Sequence, residues 1–195
     1  MDPSQTYDVP QRIGLLYDFL NSLDLRRYIE HGRTHEPSDR FPDEEALGTW
    51  MRRRGLVDAG DSLARADFVA AIGLRAAIRS FVEAEPYARN ASPAVLELNA
   101  IAARFPLVVR VPARPSLWLT PQQGSSRLGL LLVQLCDLAQ SGELDRLKMC
   151  ASDDCKWIFF DRSKPGNRRW CSTSLCGNRH KIRSYRERQR ASRPI

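Results

Sequence analysis

The sequence has no long uninterrupted apolar run and only four lysines, and both shortages narrow what the chain can be. A transmembrane helix needs roughly 18 or more apolar residues without charges, and no such stretch occurs. The N-terminal segment MDPSQTYDVPQR lacks the basic-then-apolar order of a secretory signal. We therefore predict a soluble cytoplasmic protein that has no membrane partner. Arginine outnumbers lysine 26 to 4, a bias that indicates a GC-rich bacterial genome.

The sequence also lacks the patterns that carry common catalytic chemistry. It contains no recognisable Ser-His-Asp set, phosphate-binding glycine loop or paired-carboxylate signature. We therefore predict that the protein is not an enzyme. Asp18 and Asn21 are candidate residues of a ligand pocket, although capping or core hydrogen bonding explains them equally well.

Positive charge is concentrated at the C-terminal end of the chain. The net charge is +7, but residues 148–195 hold 13 basic and four acidic side chains, a net +9. Residues 1–147 hold 17 basic and 19 acidic side chains, a net −2. This asymmetry predicts two modules, 1–144 and 145–195, of which the second contacts a polyanion.

Hydrophobic spacing predicts a mainly helical first module. Ile13, Leu16, Phe19, Leu20 and Leu23 share one face of a helix within residues 12–30. Capping and stop signals predict further helices that begin after Pro42, at Asp61 or Ser62, at Ser92 and at Arg127.

Two short β-rich runs bounded by prolines interrupt the helical pattern. PLVVRVP and PSLWLTP are separated by a turn-like ARP, which predicts one small β-hairpin. The first module is therefore expected to be α+β, mainly helical, with a single hairpin. A length of 195 residues suits such a domain followed by a small appended unit.

Four of the five cysteines form two close pairs, Cys150 with Cys155 and Cys171 with Cys176. Two pairs separated by fifteen residues are typical of a tetrahedral zinc site, because each pair supplies two thiolates from one turn. One structural Zn²⁺ is favoured over buried thiols or an iron–sulfur cluster. Cys136 lies in the apolar run LLLVQLCDLA and is expected to be a core residue.

The segment between the pairs, KWIFFDRSKPGNRRW, is predicted to form two strands joined by a turn at Pro165-Gly166. Trp157 and Phe159 would face one side, and Ile158 and Phe160 the other. Serines after Cys171 can cap a helix that carries Cys176 in its first turn. The order of thiol loop, hairpin and helix is that of a treble-clef zinc finger.

A basic stripe is predicted on the helix that follows Cys176. Arg179, Arg183, Arg186 and Arg190 recur at spacings of four, three and four, whereas Ile182 and Tyr185 would pack on the finger. Guanidinium groups suit phosphates and guanine edges, so this face is a candidate nucleic-acid interface. The remaining candidate contacts are Lys181, Arg168 and Arg169. A solvated face or an acidic protein partner is the alternative interpretation.

The segment from Cys150 to Arg190 resembles the CGNR zinc finger, named for the tetrapeptide found here at residues 176–179. RRWCS and the FxD of residues 159–161 belong to the same resemblance. The preceding region resembles the ABATE domain through LLYDFLNSLD and LGTWMRRRGL, although Ser22 replaces the usual threonine. The resemblance implies a regulator of transcription that is induced by stress.

Taken together, these features predict a DNA-binding regulator whose first module senses a small molecule or a partner. The resemblance, rather than the residue pattern, favours double-stranded DNA over RNA. An RNA-binding or ribosome-associated zinc protein is the main alternative, and a small-molecule enzyme tethered by the finger is a weaker one. A homodimer stays open, since no heptad or exposed seam indicates it.

Overall fold

The computed structural model describes residues 2–30, 32–58, 60–111, 117–124 and 126–191 of the chain. Helices dominate the described residues, and the longest of them, α4, contacts α2, α3, α5 and the strand β7. The helices are α1 (Pro3–Thr6), α2 (Gly14–Leu20), α3 (Glu44–Arg52), α4 (Arg65–Glu83), α5 (Ala94–Ala102), α6 (Gly129–Gln140) and α7 (Asn178–Ala191). None of the described helices is long and apolar enough to cross a membrane.

The strands are short, and those in the described residues form four separate antiparallel pairs. β1 pairs with β4, β2 with β3, β5 with β6 and β7 with β8. They are β1 (Leu23–Asp24), β2 (Tyr28–Glu30), β3 (Arg33–His35), β4 (Ser38–Asp39), β5 (Leu107–Arg110), β6 (Trp118–Pro121), β7 (Leu147–Met149) and β8 (Ile158–Phe160). The fold is thus α+β and mainly helical, as predicted.

The hairpin predicted in the first module is confirmed as β5 and β6, although its turn lies outside the described residues. The prediction of a single hairpin is wrong, because β2 and β3 form a second one and β1 pairs with β4. The helix predicted after Pro42 is also confirmed, because the Asp43 carboxylate caps α3 by accepting a hydrogen bond from the Ala46 N–H at 2.8 Å. Neither Asp61 nor Ser62 caps α4, which begins at Arg65.

The helix predicted within residues 12–30 ends earlier than its hydrophobic pattern indicates. α2 stops at Leu20, and Leu23 belongs to β1. The Ser22 hydroxyl donates to the Phe19 carbonyl at 2.6 Å, and the Asn21 side chain bonds to the distant strand β8. These polar side chains compete with the helical hydrogen bonds that would extend α2.

One hydrophobic core joins the predicted modules. Leu147, Ile158 and Phe160, from the cysteine-rich segment, are buried in the same cluster as Leu74 and Ile78 of α4. The division into modules 1–144 and 145–195 therefore stays a prediction, because side chains from both segments share this core. The packing fixes the position of the cysteine-rich segment against the helices.

Asn21 completes the edge of β8 from inside the core. Its amide oxygen accepts from the Ile158 N–H and its amide nitrogen donates to the Ile158 carbonyl, both at 3.0 Å. A buried side chain thus takes the place of a neighbouring strand. Removing it would leave two buried backbone groups without partners.

We predict that Asn21→Ala lowers the free energy of unfolding by about 2–3 kcal/mol, because both Ile158 backbone groups would lose their bonds. Urea unfolding followed by far-UV circular dichroism measures the change. Asn90→Ala, at an exposed position, is the control and should change it by less than about 0.5 kcal/mol. Equal effects of the two substitutions would contradict this role of Asn21.

Candidate metal centre and nucleic-acid interface

The four cysteines of the two pairs converge at one place. Cys150 follows β7 and Cys155 precedes β8, so the two strands present this pair from one tight loop. The Cys150 N–H donates to the Trp157 carbonyl at 2.9 Å and closes the loop. Lys156 has a φ of 52°, a left-handed conformation that non-glycine residues seldom adopt. Nothing in the sequence indicates this tight turn.

Cys171 and Cys176 reach the same place from the other side. Ser172 caps the following turn, its hydroxyl accepting from the Leu175 N–H at 3.2 Å. The turn Thr173–Gly177 carries Cys176 and leads directly into α7. The prediction that serines after Cys171 cap a cysteine-bearing helix is confirmed.

The geometry of the sulfur atoms fits a tetrahedral metal ion. All four lie within 4.8 Å of one another, with Sγ–Sγ distances of 3.6 Å from Cys155 to Cys171 and 3.7 Å from Cys171 to Cys176. Zinc–sulfur bonds of about 2.3 Å give tetrahedron edges of about 3.8 Å. A disulfide needs about 2.05 Å, and all four thiols are free.

Three of the four thiols are buried, and hydrogen bonds among all four shift their pKa values. Cys150, Cys155 and Cys176 are at most 2% exposed. Hydrogen bonds among the four thiols lower the pKa of Cys150 to about 7 and lower that of Cys176, whereas they raise the pKa values of Cys155 and Cys171. Thiolates are the metal-binding form. These four cysteines hold one structural zinc ion, and four protein ligands leave no open coordination position.

The prediction that residues 156–170 form two strands joined by a turn is wrong, because only the first strand is present. β8 pairs with the preceding strand β7, and the chain after Phe160 forms a loop. The reason is Asp161, a fully buried carboxylate that accepts from the N–H groups of Ser163 and Arg168 at 3.0 and 2.8 Å. Lys148 Nζ lies 3.2 Å from the same carboxylate. Asp161 therefore ends the strand and shapes the path to Cys171.

The predicted division of the aromatic strand is confirmed. Trp157 and Phe159 pack with the thiols in a separate small cluster, whereas Ile158 and Phe160 enter the main core. Trp157 Nε1 also donates to the Tyr17 hydroxyl of α2 at 3.1 Å. β8 thus connects the metal centre to the helical core, and Trp157 and Phe159 are packing residues.

The four arginines of the predicted stripe differ in their surroundings. Arg179 turns inward: one guanidinium nitrogen lies 3.1 Å from Cys176 Sγ, and its carbon lies 4.4 Å from the centroid of the Tyr28 ring. It stabilises the thiolate centre by its charge. Arg183 contacts Asp154 at 3.2 Å but is exposed. Arg186 and Arg190 are exposed, as is Lys181.

Arg168 and Arg169 also differ from each other. The Arg168 guanidinium donates to the Cys171 carbonyl at 2.7 Å, so it holds the backbone beside a metal ligand. Arg169 is exposed and lies over the Trp170 ring at 5.8 Å. Ile182 and Tyr185, predicted to pack on the finger, are instead 51% and 58% exposed, so that prediction is wrong.

Residues that complete the centre were not found from the sequence. Arg26 lies over the Trp157 ring at 4.0 Å, and Arg79, only 5% exposed, donates to the Lys156 carbonyl at 2.9 Å. Both come from the first module. The sequence signal for Arg79 is its position on the apolar face of α4, because burying a charged side chain costs free energy unless a partner is present.

The fold and the four-thiolate centre together define a zinc-finger protein. Two family models match the chain: the CGNR zinc finger over residues 146–189, and ABATE, described as "Putative stress-induced transcription regulator", over residues 14–142. The second covers about two thirds of the chain, which therefore belongs to the ABATE family. Neither family is one of enzymes. No curated protein matches the sequence.

We predict that Cys171→Ser reduces bound zinc from one to well below one per chain and lowers helicity, because three thiolates cannot close the tetrahedron. Metal analysis and far-UV circular dichroism measure both quantities. Cys136→Ser is the control, since Cys136 lies outside the cluster. Full zinc occupancy in Cys171→Ser would show that the ligand set is wrong.

We predict that Asp161→Asn lowers the free energy of unfolding by about 2 kcal/mol at pH 7, because hydrogen bonds from Ser163 and Arg168 outweigh desolvation and lower the pKa of Asp161 to about 2. A lowered pKa gives stability that is present above about pH 4 and is lost as the pH falls towards 2. The loss should therefore be the same at pH 5.5.

Denaturant unfolding at both pH values tests this, with Asp153→Asn as the control because Asp153 is 86% exposed in the nearby cysteine loop. A control that loses as much stability as Asp161→Asn would contradict the assigned role.

Proposed function

We propose that this regulator binds double-stranded DNA through the exposed basic half of α7, and that the helical domain senses a signal. The observation that supports the proposal best is the exposure of every residue from 185 to 190. The segment belongs to the most basic part of the chain, and α7, which contains it, follows directly after the turn that carries the zinc ligand Cys176. A rigid support of this kind lets a helix enter a groove without first being ordered.

The contacts divide α7 into two parts with different roles. Arg179 stabilises the thiolate centre and Arg183 fixes the helix to Asp154, whereas Arg186, Arg190 and Lys181 face solvent. We propose that these three cations, joined by Arg183 and Arg169, neutralise phosphates. Direct contact of Arg168 or Arg179 with nucleic acid stays a prediction. The guanidinium groups of both residues point towards the cysteines, which does not support it.

We predict that Arg186→Ala combined with Arg190→Ala weakens binding to a random-sequence DNA duplex and keeps zinc bound. Each lost phosphate contact removes about 0.9 from the slope of log affinity against log salt, so the slope should flatten by about 2. Fluorescence anisotropy over a salt series measures affinity and slope, and alanine preserves the helix.

The matched control is Arg104→Ala with Arg110→Ala, which removes the same charge from exposed positions of the helical domain. An unchanged slope in the α7 variant, or equal flattening in the control, would contradict the proposed interface. If structured RNA competes better than the duplex at equal salt, the ligand of this surface is RNA and not double-stranded DNA.

A further inference from the structure

A cavity of about 760 Å³ lies in the helical domain, between the N-terminal segment, α2 and α3. Its volume is within the usual range for small-molecule sites. One part of its lining is apolar: Val9, Leu15, Phe41, Leu56 and Leu130. The candidate pocket residue Asp18 lines it, whereas Asn21 does not and instead contacts β8.

The charged part of the lining has more cations than anions. Arg40, Arg53 and Arg54 line the cavity together with Asp2 and Asp18. Arg54 pairs with both carboxylates, at 2.6 Å to Asp2 and 3.2 Å to Asp18. Arg53 is exposed, and its guanidinium has no hydrogen-bond or ion-pair partner among the described residues. A third cation is therefore available to an incoming anion.

A buried donor in the cavity wall is also unsatisfied. Trp50 is 5% exposed and lines the cavity, and its Nε1 has no hydrogen-bond partner among the described residues. Burying an indole N–H without an acceptor costs about 1–3 kcal/mol. The Arg54 guanidinium lies over the Trp50 ring at 4.2 Å, so the unsatisfied donor and the paired cation are adjacent.

One anionic group already occupies the cationic side, and it comes from the chain itself. Asp2 lies beside Arg40 at 3.0 Å and Arg54 at 2.6 Å, on a segment attached to the cavity wall by Ser4, whose N–H and hydroxyl both bond to Asp18. The Asp2 side chain is 26% exposed, so another anion can reach these pairs from solvent.

We propose that this cavity binds a small organic anion, a carboxylate attached to an apolar body. The ligand carboxylate would replace that of Asp2 on Arg40 and Arg54, and its apolar part would lie against Phe41 and Leu130. This anion would be the signal that the helical domain senses, so its role in regulation rests on the function proposed above.

The same N-terminal segment reaches the zinc centre. Tyr7, immediately after α1, lies 5.3 Å from the Trp157 ring, and its hydroxyl accepts from Arg26 at 2.9 Å. Trp157 belongs to the small buried cluster that contains the zinc-binding cysteines. A ligand that displaces the Asp2 carboxylate therefore acts on the same segment that carries Tyr7. This gives the cavity a direct route to the finger and to the base of α7.

Isothermal titration with benzoate tests the site, since benzoate has the proposed carboxylate and apolar ring. We expect saturable heat below about 20 mM, and none with benzamide, which has the same shape without the charge. Asp2→Asn should tighten benzoate binding about three- to tenfold, because it removes the internal competitor.

Asp8→Asn is the matched control, an acid of the same segment that pairs with Arg162 away from the cavity, and should leave the affinity unchanged. Arg40→Gln should weaken binding. No saturable heat in the native protein and in Asp2→Asn, or equal binding of benzamide, would overturn the proposal. Because the titration contains no DNA, its result is independent of whether α7 binds a duplex.

The four indole N–H signals in a nitrogen–proton NMR spectrum test the route to the finger. Benzoate should shift Trp50 in the cavity and Trp157 beside Tyr7, and leave Trp118, which is 58% exposed on β6, in place. An unchanged Trp157 signal at saturation would overturn the proposed connection.

Discussion

Repulsion among four closely spaced thiolates is the constraint on which the C-terminal structure depends. Their sulfur atoms lie within 4.8 Å of one another in largely buried surroundings, where uncompensated charge is costly. A divalent cation removes that cost and binds four separate points of the chain at once. The segment it organises has little apolar core of its own, so the metal supplies much of its stability. Arg179, next to Cys176, balances part of the remaining negative charge.

The zinc centre controls orientation because β8 has two different faces. Trp157 and Phe159 pack on the thiols, and Ile158 and Phe160 pack in the helical core. Buried polar groups of the helical domain strengthen this connection: Asn21 bonds to Ile158 and Arg79 to the Lys156 carbonyl. The finger is thus continuous with the preceding domain, and α7 begins from a fixed point. A change near Tyr7 or Tyr17 can reach Trp157 without passing through solvent.

Local sequence patterns predicted the features that local chemistry determines. The cysteine spacing predicted the ligand set, the alternation of residues 157–160 predicted the two faces of β8, and the signals after Pro42 predicted the start of α3. The errors arose where long-range contacts decide. α2 ends at Leu20 because Asn21 bonds to a strand 137 residues away, which no local pattern reveals.

The basic stripe shows the same limit. Helical spacing correctly places Arg179, Arg183, Arg186 and Arg190 on one face of α7, but it does not reveal what that face meets. The first two meet the thiols and Asp154, and the last two meet solvent. Likewise, the cavity beside Trp50 depends on an N-terminal segment returning to α2, and only the tertiary structure shows that proximity.

X-ray absorption at the zinc edge tests the central claim most directly, because it reports the ligand atoms and their distances from the metal. The account predicts a single shell of four sulfur atoms at about 2.3 Å in the purified full chain. A shell that contains nitrogen or oxygen ligands, or a folded protein without zinc, would contradict it.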